Sequence, residues 1–206
     1  MTAPPDALVF VVDDDPSVRE AVSSLLRSIG VRVVDLPSAQ AFLEHELRAE
    51  AGCLVLDVRM PGLSGLELQA ALAGSDSAPP IVFITGHGDI PMAVRAMKLG
   101  AVEFLPKPFR ESDLLDAVSA AIRRDQQTRA ARAQLRSIRA CYDTLTERER
   151  EVVDPIVAGK LNKQVGAALG VSEQTVKVHR HNIMRKMGAA SLPDLVRMIE
   201  LLRGTG

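Results

Sequence analysis

Five short apolar runs, separated by segments long enough for helices, constrain this chain more than any other feature. The runs are LVFVV (8–12), VRVVDL (31–36), CLVL (53–56), PIVFI (80–84) and VEFLP (102–106). Between them, residues 16–29, 38–48, 65–73 and 90–99 carry apolar side chains at helical spacing. A strand covered on both faces reads as a nearly unbroken apolar run, and parallel pairing needs connections of this length. The repeated β-α order therefore predicts an α/β domain, a parallel sheet with helices on both faces, whose fifth strand leads into one more helix.

Ligands of an open parallel sheet bind beyond the carboxyl ends of its strands, so the residues that follow each run belong together. The first run ends in Asp13, Asp14 and Asp15, the third in Asp57, the fourth in Thr85, and the fifth is followed by Lys107 and Pro108. One aspartate before a proline is enough to cap a helix, and three clustered carboxylates repel each other unless a cation or solvent relieves them. Oxygen-rich clusters of this kind suit Mg2+ beside a phosphoryl group, and a carboxylate can itself accept that group as an aspartyl phosphate. Thr85 taken alone reads as a helix cap and Lys107 as a surface charge. Their placement beside the carboxylates argues for a phosphoryl site.

Charge divides the chain. Up to Arg124 there are 11 Lys+Arg against 17 Asp+Glu, and from Asp125 onward 14 against 9, so a total of −1 hides an acidic half and a basic one. A basic half implies a polyanionic partner. Within it Gly166, Gly170 and Val176 have the spacing of a helix-turn-helix: a small residue at the crossing, a glycine in the turn, an apolar residue facing back. Ser172 is placed to cap the second helix, with Glu173 in its first turn. At 100° per residue Val176, Ile183 and Met187 share the core face, while Gln174, Lys177, Val178, His181, Asn182 and Arg185 fall opposite, a mixture suited to phosphates and base edges. A charged helix face is more often merely solvated. The turn signature and the basic half together favour DNA.

The motifs VVDDDP, LVLDVRMPG, FITGHGD and GAVEFLPKPF resemble those of bacterial two-component receiver domains. LTERERE and NKQVGAALGVSEQTVKVHRHNIMRKM resemble the LuxR-type output domain of the NarL/FixJ response regulators, nearest the FixJ/StyR branch. The resemblance implies a doubly wound five-stranded sheet of order 2-1-3-4-5, with a cis bond before Pro108. It makes Asp57 the phosphoacceptor and Asp13, Asp14, Asp57 and the Arg59 backbone carbonyl the seat of Mg2+ or Mn2+. Thr85 and Phe104 become the switch pair and Lys107 the partner of the phosphate, which leaves Asp15 as the helix cap. In the output domain it makes Lys177, Val178 and His181 base-facing. Lys163, Thr175, His179 and Arg185 are taken as backbone contacts, with Gln174 on the same DNA-binding surface.

The implied domains are a receiver over 1–122, a helical linker over 123–141 and an all-α DNA-binding domain over 142–206. Within these, Ser112 is expected to cap the helix that runs on into the linker, and Pro155 to kink or restart the first output helix. The expected function is transcriptional control, switched by a sensor histidine kinase and exercised on double-stranded promoter DNA as a homodimer, with RNA polymerase a further candidate partner and no enzymatic output. Two rival readings fit less well. A haloacid-dehalogenase-type phosphatase wants Asp-x-Asp followed by Thr or Val where this chain has Pro16, and a phosphorylation-independent DNA-binding protein would have a degenerate receiver where every matched position is intact. Two cysteines, Cys53 and Cys141, are too few for a disulfide framework, and no segment reads as a signal peptide or membrane span. The expected location is cytoplasmic.

Overall fold

The computed structural model describes residues 7–75, 77–86 and 89–204, and Gly88 of the FITGHGD motif lies outside them. The chain forms two compact units, Met1–Thr128 and Arg129–Gly206.

The first unit contains strands β1 (Leu8–Val12), β2 (Arg32–Leu36), β3 (Ala51–Asp57), β4 (Ile81–Thr85) and β5 (Glu103–Pro106). They form one parallel sheet in the order β2-β1-β3-β4-β5. The helices between them are α1 (Pro16–Ser28), α2 (Ala39–Glu44), α3 (Gly65–Leu72) and α4 (Ile90–Lys98), and α5 (Glu111–Asp143) follows the last strand. Alternation along each strand splits the core in two. Phe10, Leu54, Leu56 and Phe83 pack with Ala39, Phe42, Leu68 and Ala96 of α2, α3 and α4. Val9, Val11, Val55, Val82 and Ile84 pack with Val22 and Leu26 of α1 and with Leu114, Val118 and Ile122 of α5. This is the doubly wound sheet expected from the alternation of runs.

Three local expectations need correction. The segment 38–48 is two elements, because His45 is extended (φ −73°, ψ 130°), its Nδ1 accepts the Leu47 amide, and a 3-10 turn follows at Glu46–Glu50. The His45 ring stands edge-on to Phe10 at 5.1 Å, so a tertiary contact stops a helix that no glycine or proline would have stopped. Ser112 does not cap α5. The helix begins at Glu111, and the Arg110 carbonyl already accepts the amides of Asp113 and Leu114 while its guanidinium pairs with Asp113 at 2.9 Å.

The second unit packs the end of α5 with α6 (Glu147–Val157), α7 (Asn162–Leu169), α8 (Glu173–Met187) and α9 (Leu192–Arg203) around Ile138, Val152, Ile156, Val165, Val176, Ile183, Leu195 and Ile199. Pro155 gives the third correction. Helix α6 runs through it, since it sits in the last turn, where one missing donor is all the helix loses, and its buried neighbours Val153 and Ile156 hold that turn against the core. Between α7 and α8 Gly170 takes φ +68°, and a Cβ on Gly166 would meet the Val171 carbonyl at 2.7 Å. The tight crossing therefore needs both glycines.

Gly65 holds the corresponding place in the receiver. A Cβ there would lie 2.2 Å from the Asp57 carbonyl, so α3 can start against the end of β3 only because residue 65 has no side chain. Gly65→Ala is expected to destabilise the first unit by about 1–3 kcal/mol, read as an earlier urea transition of that unit alone.

Candidate phosphoacceptor site and nucleic-acid face

The strand order sets the site. β1 and β3 are neighbours, so the residue after β1, Asp13, and the last residue of β3, Asp57, lie side by side at the carboxyl edge. Thr85 ends β4 on the other side of β3, and Lys107 follows β5. Asp13 and Thr85 are 1 % exposed and Asp57 5 %.

Two buried carboxylates side by side need a counter-charge, and Lys107 supplies it. Its Nζ donates to Asp13 Oδ2 at 2.6 Å and to Asp57 Oδ1 at 2.9 Å. The remaining oxygens are held by backbone: Asp13 Oδ1 accepts the Asp15 amide at 2.9 Å, and Asp57 Oδ2 the Arg59 amide at 2.7 Å. Burial pushes the Asp57 carboxyl above the usual carboxylate range, with the Lys107 hydrogen bond pulling the other way. For Lys107 burial works downward, but its bonds to Asp13 and Asp57 prevail and raise it. Asp15 is the N-cap of α1, its Oδ1 accepting the Ser17 amide at 2.8 Å, with Pro16 at the first helical position. The bond between Lys107 and Pro108 is cis.

The other expected residues lie less centrally. Asp14 and Arg59 are exposed. Phe104 is partly buried, its ring 6.1 Å from that of Phe83. Among the described residues no three His, Cys, Asp or Glu side chains converge as a ready-made metal seat. The donors are still all oxygen, which suits a hard cation that takes its remaining ligands from water, carbonyl and phosphoryl groups. Sequence reasoning missed Arg19, whose Nη1 donates to the carbonyls of Asp13 at 2.7 Å and Asp14 at 3.0 Å and pins the acidic loop to α1. An arginine in the first turns of a helix carries no sign of that role until the loop is seen folding back over it.

In the second unit Ser172 caps α8, accepting the Thr175 amide at 3.1 Å, and its hydroxyl also bonds the Thr175 hydroxyl at 2.8 Å. Val176, Ile183 and Met187 are buried. Gln174, Thr175, Lys177, Val178, His181 and Arg185 are exposed and His179 is half-buried; Val178, at 51 %, is unusually open for an apolar side chain. Lys177 has a loose partner one turn back, Glu173 at 3.7 Å, and Lys163 is exposed on the first turn of α7.

A second residue pair missed at the sequence level fixes α8. Lys186 Nζ donates to Glu149 Oε2 at 2.6 Å and to the Thr144 carbonyl at 3.2 Å, and the same Glu149 oxygen accepts the Thr146 amide at 2.9 Å. Thr146 and Glu149 form a capping box at the start of α6, a spacing that TERE (146–149) displays openly. Only the folded unit brings Lys186 to it.

A parallel sheet with two buried carboxylates and a lysine at one edge, together with a helix-turn-helix unit, defines a receiver coupled to a DNA-binding domain. Known proteins agree with that definition. The family of response regulator receiver domains matches residues 9–119, and the luxR family of bacterial regulatory proteins matches residues 143–199. The response regulator protein TmoT of Ectopseudomonas mendocina is 50 % identical over 198 residues, 96 % of this chain and 90 % of its own length. The transcriptional regulatory protein FixJ of Azorhizobium caulinodans is 45 % identical over 195 residues, 94 % and 92 % of the two chains. The structure of the response regulator StyR superposes with a TM-score of 0.85 at 52 % identity, covering 95 % of this chain and 98 % of StyR. The chain belongs to the NarL/FixJ family of two-component response regulators. It is a DNA-binding transcriptional regulator whose partners are a kinase and DNA, and its receiver is of the kind that binds Mg2+. Among the described residues no helix is long and apolar enough to cross a membrane.

The Glu149 pair makes a prediction about pH. Burial works to raise the Glu149 carboxyl, but its bonds to Lys186 and Thr146 outweigh it and hold the group below the ordinary value of 4.5. Its contribution is therefore present above that value and lost as pH falls through the lower folded one. Glu149→Gln should cost the second unit about 1–3 kcal/mol at neutral pH. Urea titrations of both proteins should show the gap closing in acid, and a gap independent of pH would overturn the assignment.

Proposed function

We propose that Asp57 is the residue phosphorylated by the sensor histidine kinase. The observation that carries this is Lys107 Nζ joining Asp13 and Asp57 across the strand ends. An Asp57 oxygen attacks the phosphorus of the donor phosphohistidine or acyl phosphate, the bond from phosphorus to the donor breaks, and the donor leaves. Mg2+ (or Mn2+) held by Asp13, Asp14, Asp57 and the Arg59 carbonyl would neutralise the phosphoryl oxygens as they arrive. Lys107 exchanges its bond to Asp57 for one to the phosphoryl group. The receiver thus assists its own modification and its reversal, and its output is transcription.

We assign 1–122 to the receiver, 123–141 to a helical linker and 142–206 to the DNA-binding domain. In the last, Lys177, Val178 and His181 face bases, with Gln174 beside them, and Lys163, Thr175, His179 and Arg185 meet phosphates. The exposure of all of these residues except the half-buried His179, on α7 and along α8, supports that reading. Thr85 turns toward the phosphoryl group, and Phe104 follows into the space it leaves. The surface this alters is that of α4 and β5. Ile90, Val94 and Met97, 81 %, 46 % and 44 % exposed, fall at i, i+4 and i+7 along α4, an apolar stripe suited to a second receiver. Two joined receivers raise the effective concentration of two recognition helices on paired half-sites. RNA polymerase is the further partner that promoter binding implies.

A low-molecular-weight acyl phosphate with Mg2+ should modify the protein at Asp57, Asp57→Asn should abolish the label, and a stable label on serine or histidine would sink the assignment. Sedimentation should show monomer becoming dimer on phosphorylation, with Thr85→Ala taking the label yet staying monomeric. A mass that stays constant while DNA binding tightens would point instead to release of an internal block.

A further inference from the structure

The positive charge of the second unit is not concentrated on the recognition helix. Residues 129–206 carry 14 Lys+Arg and 8 Asp+Glu, and four of the arginines, Arg129, Arg132, Arg136 and Arg139, lie on α5 before the helix-turn-helix begins. Their 3-4-3 spacing puts all four within about 80° of one helix face. From Gln126 to Tyr142 there is no acidic residue. Arg129 and Arg132 have contacts of their own. Arg136 and Arg139 are exposed and, among the described residues, neither has a hydrogen bond or ion pair. Together with Leu135, Ala140 and Asp143 they line an open hollow of about 340 Å³.

Elsewhere in the unit six of the ten cations are engaged by side chains, while Lys160, Lys163, Arg180 and Arg185 have no ion pair among the described residues. Arg148, Lys177, Lys186, Arg197 and Arg203 are each paired with a carboxylate. Arg150 stacks over Tyr142 at 5.5 Å. The neighbouring side of α5 is committed, since Leu135, Ile138 and Tyr142 pack into the core of the unit. Arg136 and Arg139 lie outside that core and stay exposed. The arginine face ends beside the recognition helix, because Lys186 in the last turn of α8 bonds the carbonyl of Thr144, the residue after α5 ends.

We propose that Arg136 and Arg139 form a second DNA contact, binding phosphodiester oxygens that flank the bases read by α8. The linker helix is then part of the DNA-binding surface as well as a spacer. This rests on the reading of α8 as the recognition helix. Guanidinium groups are suited to the role, since their fork donates two parallel hydrogen bonds to a phosphate. The contact carries no sequence information and adds affinity alone.

The test is the salt dependence of full-length protein binding to a short mixed-sequence duplex, followed by anisotropy across a KCl series. Every phosphate that a variant no longer neutralises lowers the slope of log K against log salt by about 0.9. Arg136→Gln/Arg139→Gln should therefore flatten the slope by about 1.8 and Arg185→Gln by about 0.9. Base preference in a randomised duplex pool should be unchanged in the double variant. Arg136→Lys/Arg139→Lys should recover the slope, which a merely structural role for the arginines would not predict. A flattened slope for Arg185→Gln with none for the double variant would overturn the linker contact and leave the recognition helix standing. Wild-type protein with no salt dependence would overturn both.

Discussion

One ammonium group between two buried carboxylates organises the receiver. Asp13 and Asp57 have almost no access to solvent, and a buried ion whose partner is removed is costly, on the order of 3–5 kcal/mol. Lys107 belongs to the far edge of the sheet, two strands from β3 and three from β1, and spans that gap on a flexible stem. The approach of the chain after β5 is therefore tied to the loops after β1 and β3, and Lys107 is itself anchored through its amide to the Thr85 carbonyl at 2.7 Å. The ends of four strands are held by one network, so a change of charge at Asp57 acts on β4 and β5 before it acts on anything farther away.

The receiver was legible because its helices and strands differ in period and its charged residues follow strands. The run 8–12 coincides with β1, and 31–36, 80–84 and 102–106 each overrun a strand by one residue at the start or miss its end by one. Failures came where a tertiary contact overrode a local rule. His45 leaves its helix to meet Phe10, Arg110 starts α5 ahead of the better cap at Ser112, and Pro155 is tolerated because Val153 and Ile156 hold the turn around it. Gly65, Arg19 and Lys186 were illegible for one shared reason. Each acts on a backbone group distant in sequence or folded back upon it, and a backbone carbonyl has no letter in the sequence.

The two units use charge in opposite ways. The receiver, acidic overall, buries its functional carboxylates and balances them internally, so that an incoming group must compete with Lys107. In the output unit, buried charge is spent on architecture, with Lys186 and Glu149 fixing α8 against α6, and the side chains facing outward keep their cations in solvent. That division matches the partners. A phosphoryl group has to be enclosed to be held, whereas a duplex can only be met on an open face.

Charge balance at the edge of the sheet also explains why the site needs more than the chain supplies. Asp13, Asp57 and Lys107 together leave one net negative charge, and Asp14 adds another nearby. A phosphoryl group on Asp57, as proposed, would bring about two negative charges at neutral pH in place of the one there. Lys107 cannot neutralise that excess alone, because Asp13 keeps half of its hydrogen bonding at 2.6 Å. If Asp57 is the attacking group, as proposed, that excess opposes the donor unless a divalent cation offsets it. Held as proposed, a divalent cation would cancel the charges of the site and would leave only a small negative excess if Asp57 carried the phosphoryl group. On the proposed assignment the receiver would accept a phosphoryl donor best with the cation bound, and Lys107 would help to hold the product.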